Sequence, residues 1–388
     1  MRNENEARRR RASSLACFRT PSEQRRITMK SAPREIRTET DLADRYGRKN
    51  GDTAEPPSSG LESVTRSDQQ RRRRRNLRLL IYRYAVVIAL AIFVVGFSLL
   101  LPRTFFTLGN FRTIVSSQAV LMILALGLTL PLTTGEFDLS IGSMLGCASV
   151  LTAYFTGELH WPLALAILLT ALTGVAIGVL NGIFVVRVGV NAFIGTLGAS
   201  TILTGVTLAV SGGQILNNVA QPLVDFVQFQ IFGLAAPVYI GFLLALLLWY
   251  LYEHTPTGRH LYFVGEGREA ARLVGLPVDR LRFSAFVASG VISAAAGIFT
   301  AGQLGAADPS VGPSFLLPAY AAAFLGATTI KPGRFNAWGT VVALYLLVTG
   351  VTGLELMGTS SWVQEMFNGA ALLIAVTFAR FVARDQAA

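Results

Sequence analysis

The chain has 388 residues, 52% of them hydrophobic and only 15% charged, with a mean hydropathy of +0.49. Soluble domains carry about 25% charged residues, so this composition excludes an ordinary soluble domain and points to an all-α polytopic membrane protein. The net charge of +11 does not imply nucleic acid, because it is confined to one end: residues 1–78 hold 21 of the 34 Lys and Arg and 11 of the 23 acids, a net of +10.

Residues 1–78 form a basic tail rich in Arg, Ser, Glu and Thr and nearly free of apolar clusters. Such a segment cannot bury enough surface to offset its ordering entropy, and disorder is the expectation. It lacks the apolar stretch of a signal peptide. Arg71–Arg75, Arg78 and Arg83 precede the first apolar run. They read as a topology signal and an attraction to anionic membrane lipid. A start downstream, for example at Met29, is a further alternative.

A span needs about 20 apolar residues. Ten runs qualify or nearly do: 79–101, 113–133, 139–157, 161–185, 190–212, 237–252, 283–302, 315–330, 337–353 and 362–381. With the N-terminus inside, the inner connections carry Arg187, then Arg259, Arg268, Arg272, Arg280 and Arg282, then Lys331 and Arg334, with Arg380 and Arg384 at the C-terminal end. The outer connections carry only Arg103 and Arg112. This asymmetry predicts both termini in the cytoplasm.

Thr133–Ser143, TTGEFDLSIGS, places Glu136 and Asp138 in a stretch without Lys or Arg from Thr113 to Val186. A carboxylate at bilayer depth costs roughly 2.5–3.5 kcal/mol on insertion scales unless it meets water or a polar partner. Residues 113–157 as one helix would reach roughly 65 Å, about twice the hydrocarbon thickness. The segment is therefore either a turn between two spans or a break within the membrane. Transporters place such breaks on the solute pathway. Glu136 and Asp138 are then pathway candidates; alternatively Asp138 caps the next helix through Leu139 and Ser140. Further pathway candidates are Ser140, Asn181, Asn191, Phe193 and Thr196. Asn191 also suits a helix cap, Asn181 an interhelical hydrogen bond, and Phe193 plain packing.

Small residues recur within the runs, as in Gly174 and Gly178, or Gly195, Gly198, Ala199 and Gly205, or Ala294–Gly297. They predict close helix–helix approach. The long segment 212–237 carries Asn217, Asn218, Gln221, Gln228 and Gln230. It reads as an outer lid or docking surface, or as an interfacial amphipathic segment. Gln303–Pro313 could extend the same surface.

The inner connection 253–282 is too polar to span. Within it Glu266–Gly275 predicts a short helix, opened by Gly265 or Gly267 and ended by Gly275 and Pro277. Ala270, Leu273 and Val274 share one face, and Arg268 and Arg272 another, with Glu269 three residues before Arg272. Such a helix either lies on headgroups or docks into the groove of a partner.

Cys17 and Cys147 give no disulfide framework. His160, His254 and His260 lack ligand-like spacing, so no metal or other cofactor is expected. No Gly-x-x-x-x-Gly-Lys-Ser/Thr loop occurs, so ATP hydrolysis is not expected of this chain. No His, Cys or carboxylate constellation suits catalysis, and an enzyme is not expected. An ion-coupled secondary transporter or channel using Glu136 or Asp138 is the competing class.

Four blocks carry a family resemblance. TTGEFDLSIGS resembles a (S/T)-G-x-D-L-S-x-G-S pattern, and VNAFIGT at Val190–Thr196 a V-x-(A/P)-F-I-x-T pattern. TGRHLYFVGEG at Thr257–Gly267 leads into GREAARLVGL. From about Phe105 to the C-terminal end, the chain is similar to the ribose-type sugar permeases of ABC importers, within the branched-chain amino acid/sugar permease superfamily. The resemblance implies a permease fold similar to the cobalamin-importer type, embedded in the inner membrane as a homo- or heterodimer. It implies a monosaccharide or related polyol as solute, with a non-sugar solute such as a branched-chain amino acid as the alternative. It implies a periplasmic solute-binding protein and separate cytoplasmic ATPase subunits. Gly267, Glu269, Ala270, Arg272 and Gly275 would form the ATPase-coupling element. Two segments depart from the pattern: FLLPA at Phe315–Ala319, where the family usually carries an acid, and LGATTIKPGRFN at Leu325–Asn336.

Overall fold

The computed structural model describes residues 83–360 and 362–387. The basic tail 1–78 and the first four residues of the expected span 79–101 lie outside the described residues. Among the described residues, fourteen α-helices run in chain order as α1 (Arg83–Leu100), α2 (Leu108–Ser117), α3 (Ala119–Thr133), α4 (Ser140–Ala153), α5 (Leu163–Gly182), α6 (Ala192–Ser211), α7 (Gln221–Gln228), α8 (Ala236–His254), α9 (Pro256–Glu266), α10 (Arg268–Leu273), α11 (Val278–Leu304), α12 (Val311–Gly326), α13 (Ala337–Leu356) and α14 (Trp362–Ala387). A two-residue pair, β1 (Gln230–Ile231) and β2 (Leu234–Ala235), closes the segment before α8. Among the described residues, six helices are long and apolar enough to cross a membrane. The pair α2 and α3, bent by 41° at Gln118, makes a seventh. The sequence shows no bend in the run 113–133, since neither Pro nor Gly stands at Gln118.

The central element is α11. It packs on α5, α4 and α3. Apolar side chains gain nothing by leaving lipid for one another, so packing must come from close backbone approach. The α5–α11 crossing shows this: a Cβ on Gly174 would stand 2.6 Å from Gly290 O and 2.7 Å from Ala294 Cβ. A Cβ on Gly142 of α4 would stand 2.7 Å from Gly312 O of α12. Helix α4 is held on both sides and is buried throughout. Its 14 residues run directly into the five-residue π-helical turn Tyr154–Glu158, and the two together approach the length of a usual span.

Contact levels give directions. Glu136, after α3, meets Arg282 near the start of α11, while Gly127 meets Ile292 further along it. Helix α3 is thus antiparallel to α11. Asp138 meets Ser289, and Ala148 stands beside Gly297. Helix α4 is thus parallel to α11 and antiparallel to α3. The 134–139 connection is therefore a reversing turn, not a break within one continuing helix. It is deep nonetheless: Ser289 lies about 16 Å along α11 from Val278 at 1.5 Å per residue.

Helix α12 starts deep as well, because Gly312 packs on Gly142 and Gly146 near the beginning of α4. Its far end leads into the turn 327–336. Asn336 stitches that turn: Nδ2 donates to Gly326 O and Thr329 O at 3.1 Å each, and Oδ1 accepts from Gly339 N at 2.7 Å. Arg83 of α1 donates to Ile330 O at 2.7 Å. Lys331 pairs with Glu253 of α8, and Arg334 with Glu266 of α9. Tyr262 of α9 donates to Phe335 O at 2.5 Å. Burial pushes the Tyr262 phenol well up, so it remains a donor.

Candidate functional site

The turn after α3 is built by local chemistry. Pro131 O accepts from Thr134 N and Glu136 N at 3.0 Å each. Gly135 takes φ +78, a backbone that L side chains adopt only under strain. Glu136 and Asp138 then leave the turn in different directions and meet different partners.

Glu136 enters an ionic cluster. Its Oε1 accepts from Arg282 Nε at 2.7 Å and Nη2 at 2.5 Å. The same oxygen lies 2.6 Å from Arg268 Nη2. Arg282 and Glu136 are buried, whereas the Arg268 side chain is 40% exposed. The cluster continues outward: Arg282 lies 3.8 Å from Asp279, Asp279 lies 3.1 Å from Arg272, and Arg272 lies 3.3 Å from Glu269. An unbroken line of charges thus joins α10, the first turns of α11 and the 134–139 turn.

Asp138 enters a neutral knot. Its Oδ1 accepts from Ser140 N at 3.1 Å and Ser140 Oγ at 2.6 Å. Its Oδ2 accepts from Ser289 Oγ at 3.1 Å. Asp138 N donates to the Tyr320 hydroxyl at 3.0 Å. Asn181 Nδ2 donates to Ser140 Oγ at 2.8 Å, and Leu139 N donates to Thr196 Oγ1 at 3.0 Å. Helices α4, α5, α6, α11 and α12 therefore each send a polar group to one point.

The residues singled out in the sequence separate into two places. Asp138, Ser140, Asn181 and Thr196 meet in the knot, all buried. Asp138, one residue before the N-cap Leu139, accepts from Ser140 N at the start of α4. Glu136, Asn191 and Phe193 line a cavity of about 620 Å³ together with Arg268, Arg272 and Arg282. Asn191 caps α6, its Oδ1 accepting from Phe193 N at 2.9 Å. The inner helix differs from its expected form. It covers Arg268–Leu273, not Glu266–Gly275, with Gly267 as its N-cap and Gly275 at φ +80 beyond its end. Ala270, Leu273 and Val274 face away from the rest of the described structure. All three are exposed, and Ala271 is the buried residue. Gly267, one of the two glycines expected to open the helix, is its N-cap, and Val274 lies outside it.

Sequence reasoning missed Arg282 and Arg268 as partners of the turn, Asp279 as the bridge between Arg282 and Arg272, and Ser289 and Tyr320 as members of the knot. Arg282 is 146 residues from Glu136. The available signal was weak: the cation-free stretch around Glu136 required a cation from elsewhere, and Arg282 stands at the mouth of the next Ser- and Ala-rich helix.

Residues 110–376 match the family model described as branched-chain amino acid transport system / permease component. The chain is 34% identical to the ribose import permease protein of Escherichia coli K12 over 295 residues, 75% of this chain and 91% of that one. It is 28% identical to the D-allose transport system permease protein of Escherichia coli K12 over 325 residues, 84% of this chain and 100% of that one. It is 33% identical to an autoinducer 2 import system permease protein of Yersinia pseudotuberculosis (serotype O:3, strain YPIII) over 261 residues, 66% of this chain and 78% of that one. No solved structure matches it. With its apolar helices, the deep reversing turn and these relatives, the chain belongs to the branched-chain amino acid transport system / permease component family, as a multi-pass permease subunit of the ABC-importer type and not an enzyme.

Proposed function

We propose that the chain forms the membrane pathway of an ATP-driven importer for a monosaccharide or related polyol. Its named relatives handle ribose, D-allose and autoinducer 2, which supports a small polyhydroxylated solute. The proposed assembly pairs two permease copies in the inner membrane, with ATPase subunits on the cytoplasmic side and a solute-binding protein outside. The proposed topology has ten spans and both termini in the cytoplasm, which the Lys and Arg distribution supports.

The observation that carries this reading is the ionic line from α10 through Arg268 to Glu136. A helix of six residues with Ala270, Leu273 and Val274 exposed offers an apolar patch to a partner groove. Displacement of that helix would pull on the turn that organises five membrane helices. Glu136 is the link, not an ion-binding group, since two arginines share it. Asp138 is held by Ser140 and Ser289. Glu136, shared by two arginines, is not free to bind a coupling ion.

The test is reconstitution with the cognate ATPase and binding protein in liposomes. ATP-dependent uptake of D-ribose or D-allose is expected. Uptake driven by a sodium or pH gradient with this chain alone would overturn the reading.

A further inference from the structure

A second polar site lies at the other end of α3 from Glu136, about 23 Å along the helix. A cleft of about 450 Å³ opens there between the α2–α3 bend, the start of α12, the end of α13 and the start of α14. Its volume falls within the roughly 300–1,000 Å³ of small-molecule sites. Three independent features converge on it.

The first is Asn368 of α14. It is 7% exposed and lines the cleft, yet its amide makes no hydrogen bond among the described residues. Its amide atoms are not closed off from the cleft, so they are open to a ligand or water there. The second is the helix break. Gln118 sits at the 41° bend between α2 and α3, and its side chain caps nothing. Transporters use interrupted helices at solute sites. The third is the deep start of α12, which brings Ser314 and Phe315 to the wall opposite Gln118.

The lining chemistry narrows the ligand. Gln118, Gln364 and Asn368 offer amides that donate and accept, and Glu355 and Glu365 offer carboxylates that accept. Among the described residues, no Lys, Arg or His lines the cleft. An anionic solute would meet two carboxylates and no counter-charge. A neutral polyol presents hydroxyls that can satisfy both amides and carboxylates, and Phe315 offers an apolar wall to its C–H face. We propose that this cleft is an outer subsite at which a neutral polyhydroxylated solute is held by Asn368 and Gln118 as it enters the pathway. The inference rests on the importer reading above.

The test uses the full chain reconstituted with its ATPase and binding protein. Asn368→Leu and Gln118→Leu are each expected to move about five- to tenfold less sugar per ATP hydrolysed, the loss of one hydrogen-bonding group to solute. In a background lacking Cys17 and Cys147, Asn368→Cys is expected to react with a water-soluble thiol reagent. Millimolar D-ribose or D-allose should slow that reaction, and putrescine should not. Unchanged sugar-to-ATP ratios in both leucine variants would overturn the subsite while leaving the importer reading intact. Protection by putrescine alone, or no reaction at residue 368, would also overturn it. Absence of ATP-dependent uptake by the wild type would instead contradict the importer reading.

Discussion

Arg268 Nη2 lies 2.6 Å from Glu136 Oε1, an oxygen that Arg282 also holds. One arginine begins the short α10 helix and the other sits in the second turn of the central α11. Glu136 therefore ties a surface element to the interior, and its next-but-one neighbour Asp138 anchors the knot of five helices. The arrangement makes the 134–139 turn the junction between the inner loop and the helical core.

Removing the charge of Glu136 leaves Arg282 buried without its main partner. Breaking a buried pair from one side costs about 3–5 kcal/mol. Glu136→Gln should lower the midpoint of thermal unfolding in detergent, and adding Arg282→Met should recover much of the loss. A double variant no more stable than the single one would show that the ion pair is not the reason.

The exposed and buried faces of α10 should respond differently. Ala270→Glu and Leu273→Glu alter only exposed positions, so the permease should fold normally while transport per ATP falls. Ala271→Glu buries a carboxylate and should reduce folded yield before any question of coupling arises. Size-exclusion profiles and ATPase-linked uptake separate the two outcomes.

The α5–α11 crossing should be intolerant of one methyl group. Gly174→Ala would press on Gly290 O and Ala294 and should cost about 1–3 kcal/mol by overpacking. Gly198→Ala is the control, because a Cβ there meets nothing within 4 Å. It should be neutral or slightly stabilising, since Ala is the better helix former.

Thr196 carries the link from α6 to the knot. Thr196→Val keeps the shape and removes the hydroxyl, leaving Leu139 N without its acceptor. The expected cost is about 1–3 kcal/mol, read as a lower unfolding midpoint. Thr201→Val, at an exposed position on the same helix whose hydroxyl bonds only back to Leu197 O, should change it little.

Much of the site was legible in the sequence because its parts are local. TTGEFD stood out as two acids in an apolar, cation-free stretch. The inner helix stood out between Gly267 and Gly275. Asn181 and Thr196 stood out as polar groups in apolar runs, and they do meet Asp138's turn. What the sequence could not show was long-range pairing. Nothing local links Glu136 to Arg282, or Asp138 to Ser289 and Tyr320. The cleft around Asn368 and Gln118 was missed for the same reason, since four helices far apart in sequence each supply a part. The bend at Gln118 carries no Pro or Gly to announce it.

The most direct test of the account is the sugar moved per ATP hydrolysed by Arg268→Gln, with Arg268→Lys beside it, in liposomes holding the full transporter. Coupling energies of 1–3 kcal/mol correspond to about five-fold or more. The account predicts that Arg268→Gln loses at least about fivefold in that ratio, and that Arg268→Lys, which keeps the charge facing Glu136, recovers part of it. A wild-type ratio in Arg268→Gln would contradict the claim that α10 acts on the membrane helices through Glu136.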